Sequence, residues 1–218
     1  MEAITGDETG LIKVVDIAKR EFLTYGSQDR NASVESLSWL THGYAQTTFA
    51  VLRANAVLEA WKYEPGLISM LSKISLPDLV DPLSVAQVEP NRVMCVDKSG
   101  NVSIVKLNDE SSGKQGQNQS NQKSSSNSSN SGNWDICGSF EVKGPVGAST
   151  TCKGGAAFGG SENDVVLYDT NTQQSTWTAR NVPYDTLRLR VPVCKYLYYV
   201  ENILVSFVAL FCCNICQH

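Results

Sequence analysis

Four short segments of the chain repeat one pattern, apolar-x-apolar-x-polar. They are Ile12-Lys13-Val14-Val15-Asp16, Leu58-Glu59-Ala60-Trp61-Lys62, Val102-Ser103-Ile104-Val105-Lys106 and Val165-Val166-Leu167-Tyr168-Asp169. Alternation with period two is the mark of a half-buried strand. The first two intervals between these segments are 46 and 44 residues, and the third is 63. The third contains Ser111–Gly132, which has no apolar residue, and falls to 41 when that run is left out. A period of about 40 to 45 residues is what four-stranded units stacked side by side require. A chance meander has no reason to keep it.

The stretch from Lys153 to Val193 shows one unit in most detail. Residues 154–161 read as a strand of small residues, 162–164 as a turn and 165–169 as a strand ending in an aromatic residue and Asp. Residues 170–174 are a polar turn, and 175–181 a fourth, more exposed strand. Strand, tight turn, apolar strand ending in aromatic-Asp, turn and strand is the pattern of a WD40 blade. It predicts that Tyr168 packs between neighbouring blades and that Asp169 accepts hydrogen bonds from turn amides. An ordinary β-meander is the alternative for this stretch alone.

The other units follow in order. Residues 1–17 supply only the inner part of a first blade, with Gly10 in its turn, and 18–33 read as a polar connection. Residues 34–40, 47–53 and 56–63 are strands of the second blade. Residues 64–90 hold four of the seven prolines and read mostly as loop, with 67–71 a strand or a helical turn. Arg92–Asp97 and Val102–Leu107 form a hairpin across Lys98-Ser99-Gly100-Asn101. Residues 109–133 cannot bury enough surface to offset their ordering entropy and are expected to be a disordered inter-strand loop. Residues 134–142 then resume the third blade as its outer strand, so the dipeptide Trp134-Asp135 stands in the wrong place to be a blade signature. Residues 146–152 open the fourth blade.

The expected fold is therefore all-β: an incomplete WD40-type β-propeller over residues 1–195, about three and a half of seven blades, with a hydrophobic tail over 196–218. A seven-bladed ring needs about 300 residues, and the chain has 218. An open arc follows, with the first blade lacking an outer strand. Its free apolar faces are expected around Ile12 and Val14 at one end and Val166 and Tyr168 at the other. In the tail, residues 203–213 carry Ser206 as their one polar residue. Three readings of it stand: a non-native ending from alternative splicing or a truncated gene model, a helix or strand on the open edge, and a marginal tail anchor. A spanning helix needs about 20 apolar residues, so membrane association is not expected.

Composition narrows the chemistry. Hydrophobic residues make up 42%, enough for a core, and the net charge of −4 argues against a surface that coats nucleic acid. The seven cysteines are an odd number, and Cys95, Cys137, Cys152 and Cys194 sit mostly in apolar strand-like contexts, which fits reduced thiols better than a disulfide framework. No signal peptide is apparent, so the N-x-S/T matches at Asn31, Asn101, Asn118 and Asn127 read as chance. The histidines are His42 and His218, one near a turn and one at the last residue, which disfavours a nucleophile–histidine pair. Gly154-Gly155 with Gly159-Gly160 lacks the Gly-Lys-Ser/Thr ending of a phosphate loop. Cys213-x-x-Cys216 with His218 has metal-like spacing but no second ligand pair. No catalytic residue, metal or cofactor is expected. Asp and Glu elsewhere read as solvated faces.

One local charge excess stands out. Between Trp177 and Lys195, Arg180, Arg188, Arg190 and Lys195 oppose Asp185 alone, with Asn181 among them. Arg188 and Arg190 alternate with Leu187, Leu189 and Val191. They are either the solvated side of a strand or a contact patch for RNA phosphate or an acidic partner. Arg180, Asn181, Asp185, Arg188 and Arg190 are the candidate partner-binding residues.

Phe158-Gly159-Gly160-Ser161-Glu162-Asn163, Asn181-Val182-Pro183 through Val191-Pro192-Val193 and, more weakly, Thr9-Gly10-Leu11-Ile12-Lys13-Val14 resemble the WD-repeat-containing protein 74 family. The resemblance stops at Val193, where family members continue with Trp and further blades and this chain has Cys194. It implies a non-enzymatic, nucleolar scaffold in large (60S) subunit biogenesis and rRNA processing. Its partners would be pre-60S particle proteins, rRNA, and an AAA-type ATPase that releases it. A truncated, non-functional or regulatory isoform that cannot close its propeller is the alternative.

Overall fold

The hairpin of Arg92–Asp97 and Asn101–Leu107 shows how each unit is made. Valines and Met94, Cys95 and Ile104 make both faces apolar, so both strands are buried between neighbouring sheets. Asp97 closes the turn: its Oδ1 accepts from the amides of Gly100 and Asn101 at 2.8 Å each, and its Oδ2 from the Asn101 side chain at 2.7 Å. In the computed structural model, residues 2–42, 45–108, 134–152, 154–160 and 163–179 are described.

Fifteen strands among these residues form four antiparallel sheets. The first sheet is β1 (Glu2–Gly6), β2 (Ile12–Asp16) and β3 (Glu21–Tyr25). The second is β4 (Val34–His42), β5 (Ala45–Arg53), β6 (Val57–Glu64) and β7 (Leu67–Ser75). The third is β8 (Pro82–Glu89), β9 (Arg92–Asp97), β10 (Asn101–Leu107) and β11 (Trp134–Glu141). The fourth is β12 (Ala148–Cys152), β13 (Gly155–Gly160), β14 (Asn163–Asp169) and β15 (Gln174–Thr178). Within each sheet the strands pair in sequence order. The innermost strands β4, β8 and β12 pack on one another, and the outermost lie mostly in solvent. This is the WD40-type propeller architecture that the repeat period predicts.

Three cores fill the three spaces between sheets. Ile12 and Val14 of sheet one meet Phe49, Val51, Trp61 and Ile68 of sheet two. Leu40, Leu52 and Leu58 of sheet two meet Val85, Val93 and Val105 of sheet three. Met94, Val96 and Val102 of sheet three meet Ala156 and Phe158 of sheet four. Tyr168 packs against this last core, 5.6 Å from Phe140 and 5.5 Å from Phe158. Asp169 Oδ1 accepts from the amides of Asn171 and Thr172. Both roles expected for the aromatic-Asp ending are thus present.

The structure corrects several sequence readings. Residues 18–33 are not merely a connection, because they hold β3 and a 3-10 turn at Arg30–Ala32. Residues 64–90 are not mostly loop, because they hold β7 and β8. Their prolines sit at Pro65 and Pro90 in turns, at Pro77 between strands and at Pro82 as the first residue of β8, all places where a missing amide breaks no ladder.

Among the described residues it is the innermost strand of the first sheet that has no counterpart, not an outer one. Backbone conformation sets the equivalence. Gly10 before β2, Ala56 before β6 and Gly100 before β10 all have positive φ, and so do Arg20, Gly66 and Gln173 in the turns after β2, β6 and β14. Hence β2 corresponds to β6, β10 and β14, the third strands, and β3 to the exposed outermost ones. Accordingly β1 lies against β4 as β5 lies against β8.

The faces expected to be free are covered instead. Ile12, Val14 and Tyr168 are turned inward to the cores just described. On the outward face of sheet one, Ala3, Val15 and Phe22 stand in register. On that of sheet four, Ala157, Leu167 and Trp177 do, with Ala157 buried and Trp177 exposed. Runs such as Val14-Val15 and Val166-Leu167 are apolar on both faces, so alternation alone does not say which side is covered.

The tail over 196–218 and the insertion over 109–133 lie outside the described residues. Trp134 begins the outermost strand β11, as expected, with its indole buried in the core between sheets two and three.

Candidate interaction surface

The rim that carries the turns between second and third strands is the most elaborately built surface. The connections from each outermost strand to the next innermost one run along the same rim. Asp29 N donates to Thr9 O at 2.8 Å, Val34 N to Asp7 O at 3.1 Å, and Val146 N to Lys98 O at 2.9 Å. Asn163 Nδ2 donates to Pro145 O at 2.7 Å.

Two aspartates hold equivalent turns on this rim. Asp7 Oδ1 accepts from Thr9 N, Thr9 Oγ1 and Leu11 N, and its Oδ2 meets Lys13 Nζ at 2.7 Å. The Lys13 ammonium, then the Thr9 hydroxyl, hold the Asp7 carboxyl far below its ordinary range. For Asp97, burial pushes the carboxyl upward, but the hydrogen bonds from Asn101, Val80 and Gly100 outweigh it and the net shift is down. Each carboxylate stays ionised and fully engaged, so neither is poised to move a proton.

Between sheets one and two the rim opens into a cleft of about 400 Å³, walled by Asp29, Asn55, Met70 and Lys73. Its floor is a buried polar chain. Trp61 Nε1 donates to Glu59 Oε2 at 2.9 Å, and Glu59 Oε1 meets Arg53 Nε at 2.8 Å. Arg53 Nη1 donates to Gly10 O at 2.8 Å and Ala32 O at 2.9 Å. Both carboxylate oxygens are occupied and the charges cancel. The cluster therefore ties sheet two to the rim of sheet one and offers no free nucleophile or base.

Sequence reasoning placed Asp and Glu on solvated faces, but Glu59 and Asp97 are 8% and 0% exposed. The available signal was Glu59 two residues before Trp61, on the same face of one strand. Cys95 is buried in the core between sheets two and three, where desolvation pushes its thiol well above the usual range, and it is correspondingly inert. Cys137 is exposed, because its strand is outermost. Among the described residues no group of three or more His, Cys, Asp or Glu could hold a metal.

The sequence-predicted contact residues Arg180, Asn181, Asp185, Arg188 and Arg190 lie outside the described residues. The described chain reaches Ala179, whose amide donates to Val165 O at 2.7 Å beside the start of β14, on this same rim. Charge on the described rim is mixed: Glu8, Asp29, Asp78 and Asp81 are exposed alongside Arg30, Lys98 and Lys143. Phosphate recognition needs clustered cations, and these residues do not supply them.

No family model matches the chain, and no curated protein matches it. Among solved structures it is similar to a WD40 propeller chain in the crystal structure of a mitotic checkpoint complex, with a TM-score of 0.57 and 12% sequence identity. The match covers 82% of this chain and 45% of that chain, so this chain spans less than half of that chain's length. At this identity the likeness shows the fold alone.

Proposed function

We propose that this chain is a non-enzymatic WD40 scaffold that acts in large (60S) ribosomal subunit biogenesis and rRNA processing in the nucleolus. The observation that carries the reading is the resemblance of residues 158–163 and 181–193 to the WD-repeat-containing protein 74 family, now joined to a WD40-type fold. The rim supports a scaffold: its ionisable groups are spent on holding turns and joining sheets, and rigid turns at a propeller rim suit partner contact. In this reading Arg180, Asn181, Asp185, Arg188 and Arg190 are the contact residues. They contact pre-60S proteins or rRNA, and an AAA-type ATPase releases the scaffold.

The second reading is a regulatory or non-functional form that cannot close its own ring. The first sheet, three-stranded among the described residues, favours it. Gradient sedimentation of nucleolar extract separates the two. The scaffold reading predicts co-migration with pre-60S particles, weakened by Arg188→Ala with Arg190→Ala, most at higher salt. A chain found only in the light fractions contradicts it and leaves the second reading.

A further inference from the structure

The cleft between sheets one and two has an unspent donor edge on its floor. Arg53 is 7% exposed, and a guanidinium carries five N–H donors. Its Nε faces Glu59, and its Nη1 donates to Gly10 O and Ala32 O. Nη2 has no partner among the described residues and is not sealed from solvent, so it opens onto the cleft that Arg53 lines. The three bonds made by Nε and Nη1 fix the plane of the group, so a ligand meeting Nη2 has little to order.

Lys73 stands near it. It is directly opposite Glu59 in the register of β6 and β7, so the two side chains leave the sheet on one face. Each Glu59 oxygen already has a donor, Trp61 Nε1 on one and Arg53 Nε on the other. Lys73 is exposed and makes no ion pair among the described residues. Trp61 and Met70, also in register, add an apolar side, and Met70 is 49% exposed. The cleft therefore offers cationic donors with no acceptor, next to an apolar wall. Its charge is limited, because Glu59 balances Arg53, and Asp29 on the wall that follows sheet one opposes Lys73. That suits a single carboxylate better than the nearly doubled charge of a phosphate group.

We propose that this cleft docks an acidic peptide segment of a partner protein. A Glu or Asp carboxylate of the partner accepts from Arg53 Nη2 and Lys73 Nζ, and an apolar residue beside it lies on Met70 and Trp61. The inference rests on the cleft alone and is independent of the ribosomal reading.

Fluorescence anisotropy on the full chain tests it. The probes are four labelled hexapeptide libraries, randomised over uncharged residues and carrying glutamate, glutamine, lysine or phosphoserine at one central position. The glutamate library is expected to bind about tenfold more tightly than the glutamine library, the worth of one charge-assisted hydrogen bond. Lys73→Gln should remove most of that preference, whereas Lys143→Gln, an exposed lysine elsewhere on the rim, should leave it intact. Asp29→Asn should tighten glutamate binding about threefold, because it removes the opposing charge while an asparagine still caps the turn at Arg30–Ala32. All three residues are exposed, so unchanged far-ultraviolet circular dichroism is expected throughout. Equal binding of the four libraries, or no binding at millimolar peptide, overturns the proposal. So does tightest binding of phosphoserine, which would mark a phosphate site, or an equal loss with Lys143→Gln, which would mark non-specific charge attraction.

Discussion

Arg53 and Glu59 are an ion pair that nearly all water has left, and that sets the consequence of changing them. Removing one partner of a buried pair leaves the other uncompensated and costs about 3–5 kcal/mol. Glu59→Ala should therefore lower stability by roughly that amount in denaturant titration, far more than a surface change of about 0.5 kcal/mol. A loss near the surface value would show that Arg53 finds other partners. Asp97 makes a pH prediction. Its folded carboxyl is held below the unfolded value, so its contribution is fully present above about pH 4. That contribution is lost as pH falls through the lower folded value. The stability advantage of the unmodified chain over Asp97→Asn should be constant near neutrality and shrink in acid. An advantage that does not change with pH would remove the carboxylate from the account. Asp97 was not legible in the sequence, because a turn aspartate looks the same whether its carboxylate points to water or to four donors.

At the scale of elements, legibility followed the turn chemistry. The hairpin of β9 and β10 was readable because Lys98-Ser99-Gly100-Asn101 separates two apolar strands. The short β3 was not, because Phe22 and Leu23 stand side by side among polar residues with no alternation to see. Nor were β7 and β8, where prolines at strand boundaries imitate a loop. The conserved geometry of these turns yields a further expectation. Arg20 has φ 59° where the equivalent turn of sheet two has Gly66. A side chain in the left-handed region costs about 1 kcal/mol. Arg20 is exposed and contributes no burial in return. Arg20→Gly should raise the midpoint of urea unfolding by the equivalent of about 0.5–1 kcal/mol, and a lowered midpoint would show that the turn is unstrained.

For the whole molecule, the repeat period gave the number of sheets and their kind, because stacked blades impose it and little else does. What it could not give was which strand of the first sheet has no counterpart among the described residues, since one alternating segment carries no label for its radius. That information lay in the positive-φ positions, where Ala56, Arg20 and Gln173 replace the glycine that would have marked them. The candidate contact residues were visible as a charge excess, but they lie outside the described residues, so their partner remains the subject of the sedimentation experiment. The central structural claim is that, among the described residues, sheet one ends at β1 with no strand beside its inner edge. Amide hydrogen exchange on the full chain measures this directly. Every other amide of Glu2–Gly6 should exchange quickly, while the amides of β5 and β9, bonded on both sides, stay protected. Uniform protection along β1 would mean a fourth strand is already in place, and would contradict the open arc.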